Sequence, residues 1–113
     1  MTQEAQPRSV VFYIDQSGRK PFVEWLENLS ISFQDRVLRR LQRVQLGNWG
    51  DYKRIGGGIF ELRLHFGKGY RIYCAEDVDT VIVLLCGGNK DKQRKDVSLA
   101  KRYWDNYKNQ KEQ

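Results

Sequence analysis

Apolar positions along the chain follow two different periods, and the changes of period mark the elements. The run VVFYI at 10–14 is short, β-branched and aromatic, so it predicts a strand, with DQSGRK as the turn after it. Pro21 suits a first helical turn, where its missing N–H costs nothing. Phe22, Trp25, Leu26 and Leu29 then recur at i, i+3, i+4 and i+7, one face of a helix that stops near 28–30. A second helix is expected to open with Ser32 as N-cap and Asp35 three residues on, a capping-box-like pair. Val37, Leu41 and Val44 form its buried stripe, Arg36, Arg40 and Arg43 share a second face read first as solvated, with RNA or partner contact as the alternatives, and Gly47 is the natural stop.

From 59 the period becomes two. Phe60, Leu62, Leu64 and Phe66 point one way, and Ile59, Glu61, Arg63 and His65 the other. GKG at 67–69 reads as a three-residue hairpin loop with Gly69 left-handed, which sets Phe66 opposite Tyr70, His65 opposite Arg71 and Arg63 opposite Tyr73. Residues 77–79 make the next turn, and TVIVLLC at 80–86 is the most apolar strand. Asp96 is expected to cap a last helix with Val97, Ala100, Tyr103, Trp104 and Tyr107 along one side. The expected fold class is therefore α+β: a small antiparallel sheet in the order β-α-α-β-β-β-α, with the helical hairpin packed on one face. A tail at 1–9, one domain at 10–108 and a polar tail at 109–113 complete the division.

Composition narrows the class. A chain of 113 residues with 40% hydrophobic and 12% aromatic content folds as one domain and is not disordered. No run approaches the ~18 apolar residues of a membrane span and no charged-then-apolar leader is present, so a cytoplasmic protein without membrane contact is expected. Cys74 and Cys86 lie inside predicted strands without metal spacing and read as small core residues. The net charge is +6. Residues 36–73 carry nine basic groups against two acidic ones, which favours a polyanionic partner such as nucleic acid.

With the hairpin over the Phe60/Leu62/Leu64/Phe66 face, the opposite face is expected to stay open. It collects Glu61, Arg63, His65, Arg71 and Tyr73 on adjacent cross-strand positions about 5 Å apart. Lys90 and Lys92 follow the last strand beside Gly87 and Gly88, which would let a phosphate come close. Metal-free RNA cleavage needs a base for the 2′-OH, positive charge for the pentacovalent phosphate and an acid for the leaving 5′-oxygen. Arg63 and Arg71 suit the phosphate, because a guanidinium binds two oxygens at once. His65 or Glu61 can move the proton, and Tyr73 can stack a base or bind a phosphate. Lys53, Arg54, Lys68 and Lys92 extend the surface as RNA-binding candidates. One histidine and two core cysteines make no zinc set, and no GxxxxGK[ST] is present, so no cofactor is expected.

Several stretches carry a family pattern: LGN-x-GD at 46–51, GGG-[IV]-x-ELR at 56–63, GYR-x-Y at 69–73 and LLCGG-x-K at 84–90. Together they resemble the phage-derived addiction-module killer proteins of the RelE/ParE superfamily of type II toxins, close to HigB-like toxins. The resemblance covers about residues 10–108. It implies a RelE-like fold and a toxin neutralised by a cognate antitoxin, here of the helix-turn-helix type. It also implies cleavage of mRNA on the ribosome, with operator DNA reached only through the antitoxin. The family's phosphate-handling basic positions fall on Arg63, Arg71 and Lys90, and His65 falls near another. Glu61 stands where some relatives carry lysine, and Val97 lies near a catalytic tyrosine of others. The superfamily also holds gyrase poisons, so a ParE-like gyrase poison and a degenerate antitoxin-binding component are the alternatives.

Overall fold

The computed structural model describes residues 7–78 and 80–112. Strand β1 (Ser9–Phe12) leads into helix α1 (Pro21–Glu27) and helix α2 (Ile31–Gln45). Strands β2 (Tyr52–Arg54), β3 (Ile59–Arg63), β4 (Arg71–Asp77) and β5 (Val81–Gly88) follow. A 3-10 turn (Lys90–Lys92) opens the long helix α3 (Gln93–Lys111). The fold is α+β, as the periods predicted. The residues expected as a tail at 1–9 fall partly outside the described residues, as does Asp79 of the 77–79 turn. The ordered elements reach from Ser9 to Lys111.

The five strands run in the order β1-β5-β4-β3-β2. From β2 to β5 the pairing is antiparallel, but β1 lies parallel to β5, with Ser9 opposite Val81 and Phe12 opposite Leu84. The sheet is therefore mixed. Strand β2 carries no apolar run of its own and is held as an edge by its register with β3.

Helix α2 starts two residues earlier than Ser32 suggested. Ser30 is its N-cap and accepts from the Phe33 N–H at 3.2 Å. Val37, Leu41 and Val44 are buried as expected, and they meet Phe22, Phe60, Leu62, Leu64, Ile72, Cys74, Ile82 and Leu84 in one core. At the far end Asn89, rather than Asp96, caps the turn into α3, its side chain accepting from the Asp91 and Lys92 N–H groups. The expected stripe on α3 is real: Ala100 and Trp104 are buried, with Val97, Tyr103 and Tyr107 beside them. That stripe packs on Ile59, Tyr73, Ala75, Val83 and Leu85, so the sheet is covered on both faces. This overturns the expectation of an open strand face. An apolar helix stripe of this width must be buried somewhere, and the second sheet face is what remains.

Candidate functional site

The β3–β4 hairpin sets the site, and its register differs from the one a three-residue loop would give. Arg63 faces Arg71, Glu61 faces Tyr73, and Leu62 faces Ile72. Leu64 N–H still reaches the Tyr70 carbonyl at 2.9 Å, leaving 65–69 as the loop. The cause lies in aromatic packing. Phe66 and Tyr70 both fold back onto Phe33 of α2, with centroids 5.0 and 5.7 Å away, so the ladder cannot continue through them. Gly67 makes room, because a Cβ there would overlap the Tyr70 ring. Sliding by two residues preserves which face each side chain takes but changes every partner. His65 leaves the sheet as a consequence. It does not face Arg71.

Glu61 is fully buried beneath α3, and so is Tyr73. Neither can touch an RNA, which corrects their expected roles as proton carrier and stacking residue. They form a support instead. Glu61 Oε2 accepts from the Tyr73 hydroxyl at 3.1 Å and from Gln93 Nε2 at 2.8 Å. Glu61 Oε1 lies 3.5 Å from Arg63 Nε and 3.6 Å from Arg71 Nε. A buried carboxylate is tolerable only when paired in this way. Burial, and then the Glu61 charge, push the Tyr73 hydroxyl far above its ordinary pKa, so it serves as a fixed donor. Two guanidiniums share one carboxylate, which leaves one surplus positive charge at this end of the sheet.

Arg63 is the more accessible of the pair, its side chain 38% exposed against 13% for Arg71. Arg71 is further fixed by donating from Nη1 to the Gly69 carbonyl at 3.1 Å. Lys90 stands over the same loop. A Cβ at Gly69 would lie 3.3 Å from Lys90 Cβ, and the Lys90 N–H approaches the Lys68 carbonyl at 3.4 Å. Arg63, Arg71, Lys68 and Lys90 are thus brought to one rim, with Lys92 exposed on the adjoining turn. Lys53 is the cross-strand partner of Glu61 on exposed β2, whereas Arg54 lies over the Phe60 ring on the other face of the sheet.

Gly87 and Gly88 have a different task from the phosphate approach expected of them. A Cβ at Gly87 would overlap the Trp25 ring, and one at Gly88 would overlap the Asp96 carboxylate. A bulge at Leu85, between the Tyr73–Cys86 and Cys74–Leu84 pairs, turns consecutive glycines toward α1 and α3. They let both helices close on the sheet. Asp96 is buried there, and burial raises its pKa against the opposing charges of Lys92 and Lys95. Cys74 and Cys86 are both buried and free, each thiol pushed up to about 12 chiefly by burial, so neither is a nucleophile.

The LGN-x-GD stretch builds the wall beside this rim. Asp51 is the centre of it: its carbonyl accepts from Arg40 Nη2 at 3.0 Å and from the Arg63 N–H at 3.0 Å. Its carboxylate lies 2.7 Å from Nε2 of exposed His65. Arg40 is buried, not solvated as its helix face suggested. Gln93 and Asp51 are positions of this candidate site that the sequence pattern did not single out, while Arg40 was singled out only as part of a helix face. Only the GD of the motif hinted at one of them.

Residues 24–105 match the family described as Phage derived protein Gp49-like (DUF891). The chain belongs to this family. It is also 42% identical over 81 residues to an uncharacterized protein of Haemophilus influenzae, a match covering 71% of this chain and 82% of that one. The Gp49-like match takes in α2, the whole β2–β5 meander and most of α3, and so every residue of the rim.

Proposed function

We propose that this Gp49-like protein is the toxin of a type II toxin–antitoxin module, of the RelE/ParE superfamily and HigB-like. It acts in the cytoplasm as a ribosome-dependent mRNA endonuclease. The observation that carries the reading is the Arg63–Arg71 pair, held across β3 and β4 by one buried carboxylate and flanked by Lys90. Preorganised guanidiniums cost no rearrangement when charge develops on the phosphate. Arg63, Arg71 and Lys90 hold the phosphate oxygens. A base takes the proton of the 2′-OH, the 2′-oxygen bonds to phosphorus, the P–O5′ bond breaks and the 5′-oxygen is protonated. His65 is the exposed group suited to proton transfer, since Glu61 is enclosed. The products are a 2′,3′-cyclic phosphate or 3′-phosphate and a 5′-OH. A cognate helix-turn-helix antitoxin covers the basic rim and silences it.

The test is expression in cells followed by primer-extension mapping of mRNA and analysis of the cut ends. Wild type should arrest growth and cut mRNA; Arg71→Ala should lose ~10²–10³ in rate while remaining folded. A 2′-deoxy substitution at the scissile nucleotide should block cleavage. Ends with 3′-OH and 5′-phosphate, or a folded Arg71→Ala protein that cuts as well as wild type, would overturn the reading. Growth arrest with intact mRNA and damaged DNA would point to gyrase instead.

A further inference from the structure

A second basic feature lies beside the rim, on the far side of Arg63. A cleft of about 380 Å³ opens between α2 and the segments 48–51 and 63–66. Arg36, Arg39, Arg40, Arg43, Arg63 and His65 line it. Asp51, the one acidic lining residue, is held by His65, and Arg39 is occupied by Asp35 at 3.0 Å. Among the described residues Arg36, Arg40 and Arg43 have no carboxylate partner. Five guanidiniums around the single carboxylate that lines the cleft repel one another.

Arg40 makes this more than a charged surface. It is 8% exposed, with Nη2 on the Asp51 carbonyl and Nη1 buried without a hydrogen-bond partner among the described residues. A buried donor left unmade is costly, and an anion's oxygen would complete it. Burial, and then the Arg43 charge, lower the pKa of Arg40, a penalty that an anion would relieve. Gly50 allows the arrangement: at φ 64° it lies so close that a Cβ would stand 2.9 Å from Arg40 Cζ. Arg36 adds a flat element, its guanidinium 4.2 Å above the Phe66 ring with the side chain exposed. A base can stack on the outer face of such a plane.

We propose that this cleft binds a phosphate of the RNA strand next to the one held at the rim, with Arg40 as its buried anchor. Arg63 lines the cleft and also belongs to the rim, so a strand leaving Arg71 and Lys90 past Arg63 enters it directly. Arg36 and Arg43 clamp the phosphate from the helix side, and the adjoining base stacks on Arg36. The inference rests on the nuclease reading for the path of the strand, and not for the anion site itself.

The experiment measures anisotropy of a short, labelled 2′-O-methyl RNA, which lacks the nucleophile, on the intact chain over a range of salt. The variants are the exposed pair Arg36→Ala with Arg43→Ala, Arg40→Gln and Arg71→Ala. The pair should weaken binding at least ~10-fold at low salt. It should also reduce the slope of log K against log[salt] by about 0.7, the loss of one phosphate contact on a single strand. Arg40→Gln, if folded by circular dichroism, should weaken it similarly; if it unfolds, the exposed pair still decides. Unchanged affinity and slope in the pair, with Arg71→Ala weakened, overturns the cleft and leaves the nuclease reading standing. A weakened pair, together with Arg71→Ala that cuts mRNA normally, supports the cleft and removes the nuclease reading. Orthophosphate that binds tightly where the RNA does not, or polyglutamate that matches the RNA at equal charge, also overturns the proposal. The first would make the cleft a small-anion pocket, the second a seat for an acidic protein segment.

Discussion

The Tyr73 hydroxyl donates to Glu61 Oε2 at 3.1 Å, on a sheet face that α3 seals. The contact fixes the carboxylate that in turn holds Arg63 and Arg71. Tyr73→Phe keeps the ring packing and leaves Glu61 the Gln93 bond. It should cost about 1 kcal/mol of stability by urea unfolding. Growth arrest should follow the folded fraction, since Tyr73 contacts only protein. Complete loss of arrest in a stably folded Tyr73→Phe chain would place the hydroxyl in the chemistry itself.

Gly88 and Asp96 occupy each other's space. Gly88→Ala should destabilise by about 1–3 kcal/mol, because the added methyl must displace a buried carboxylate. In an Asp96→Ala background the same change should cost clearly less, since the obstacle is gone. A double-mutant cycle by chemical denaturation checks this, and strict additivity would refute the packing role of Gly88.

Asp77 ties the end of α3 to the β4 strand. Its carboxylate accepts from Lys111 Nζ at 2.6 Å and from the Tyr107 hydroxyl at 2.7 Å, which lower its pKa below the ordinary 3.8. A depressed carboxyl contributes stability that is fully present above its unfolded value and lost as pH falls through its folded one. Asp77→Asn should therefore destabilise at neutral pH, with the difference from wild type shrinking in acid below 3.8. Unfolding midpoints across that window test the sign; a difference that grows in acid would contradict it.

An antitoxin that covers the rim meets Arg63, Arg71, Lys68 and Lys90 together. Charge pairing of this kind steers encounter and is screened by salt. Association with the proposed antitoxin should slow as ionic strength rises, with dissociation changing less. Stopped-flow rates independent of salt would mean that the partner docks elsewhere.

The sequence by itself determined what depends on neighbours along the chain. Pro21 and the 3.6-residue spacing from Phe22 mark α1, Val37/Leu41/Val44 mark the buried side of α2, and Phe60/Leu62/Leu64 mark the inward side of β3. The burial of Cys74 follows from the same alternation, which survives a two-residue register slip. The motifs that carry the family pattern were legible too, and they fall within the Gp49-like match. Tertiary structure decided what depends on which surfaces meet. Periodicity shows that Glu61 and Tyr73 share a face, but not that α3 covers it; the apolar stripe of α3 closes the face, and two arginines offset the charge of the Glu61 it encloses. The partners of Arg63 and His65 depended on three aromatic rings packing over the hairpin loop. The burial of Arg40 depended on the 48–51 segment folding back on its helix, with Gly50 against the guanidinium and the Asp51 carbonyl accepting from it. These are long-range contacts between surfaces, and no local pattern of hydrophobic and polar residues records them.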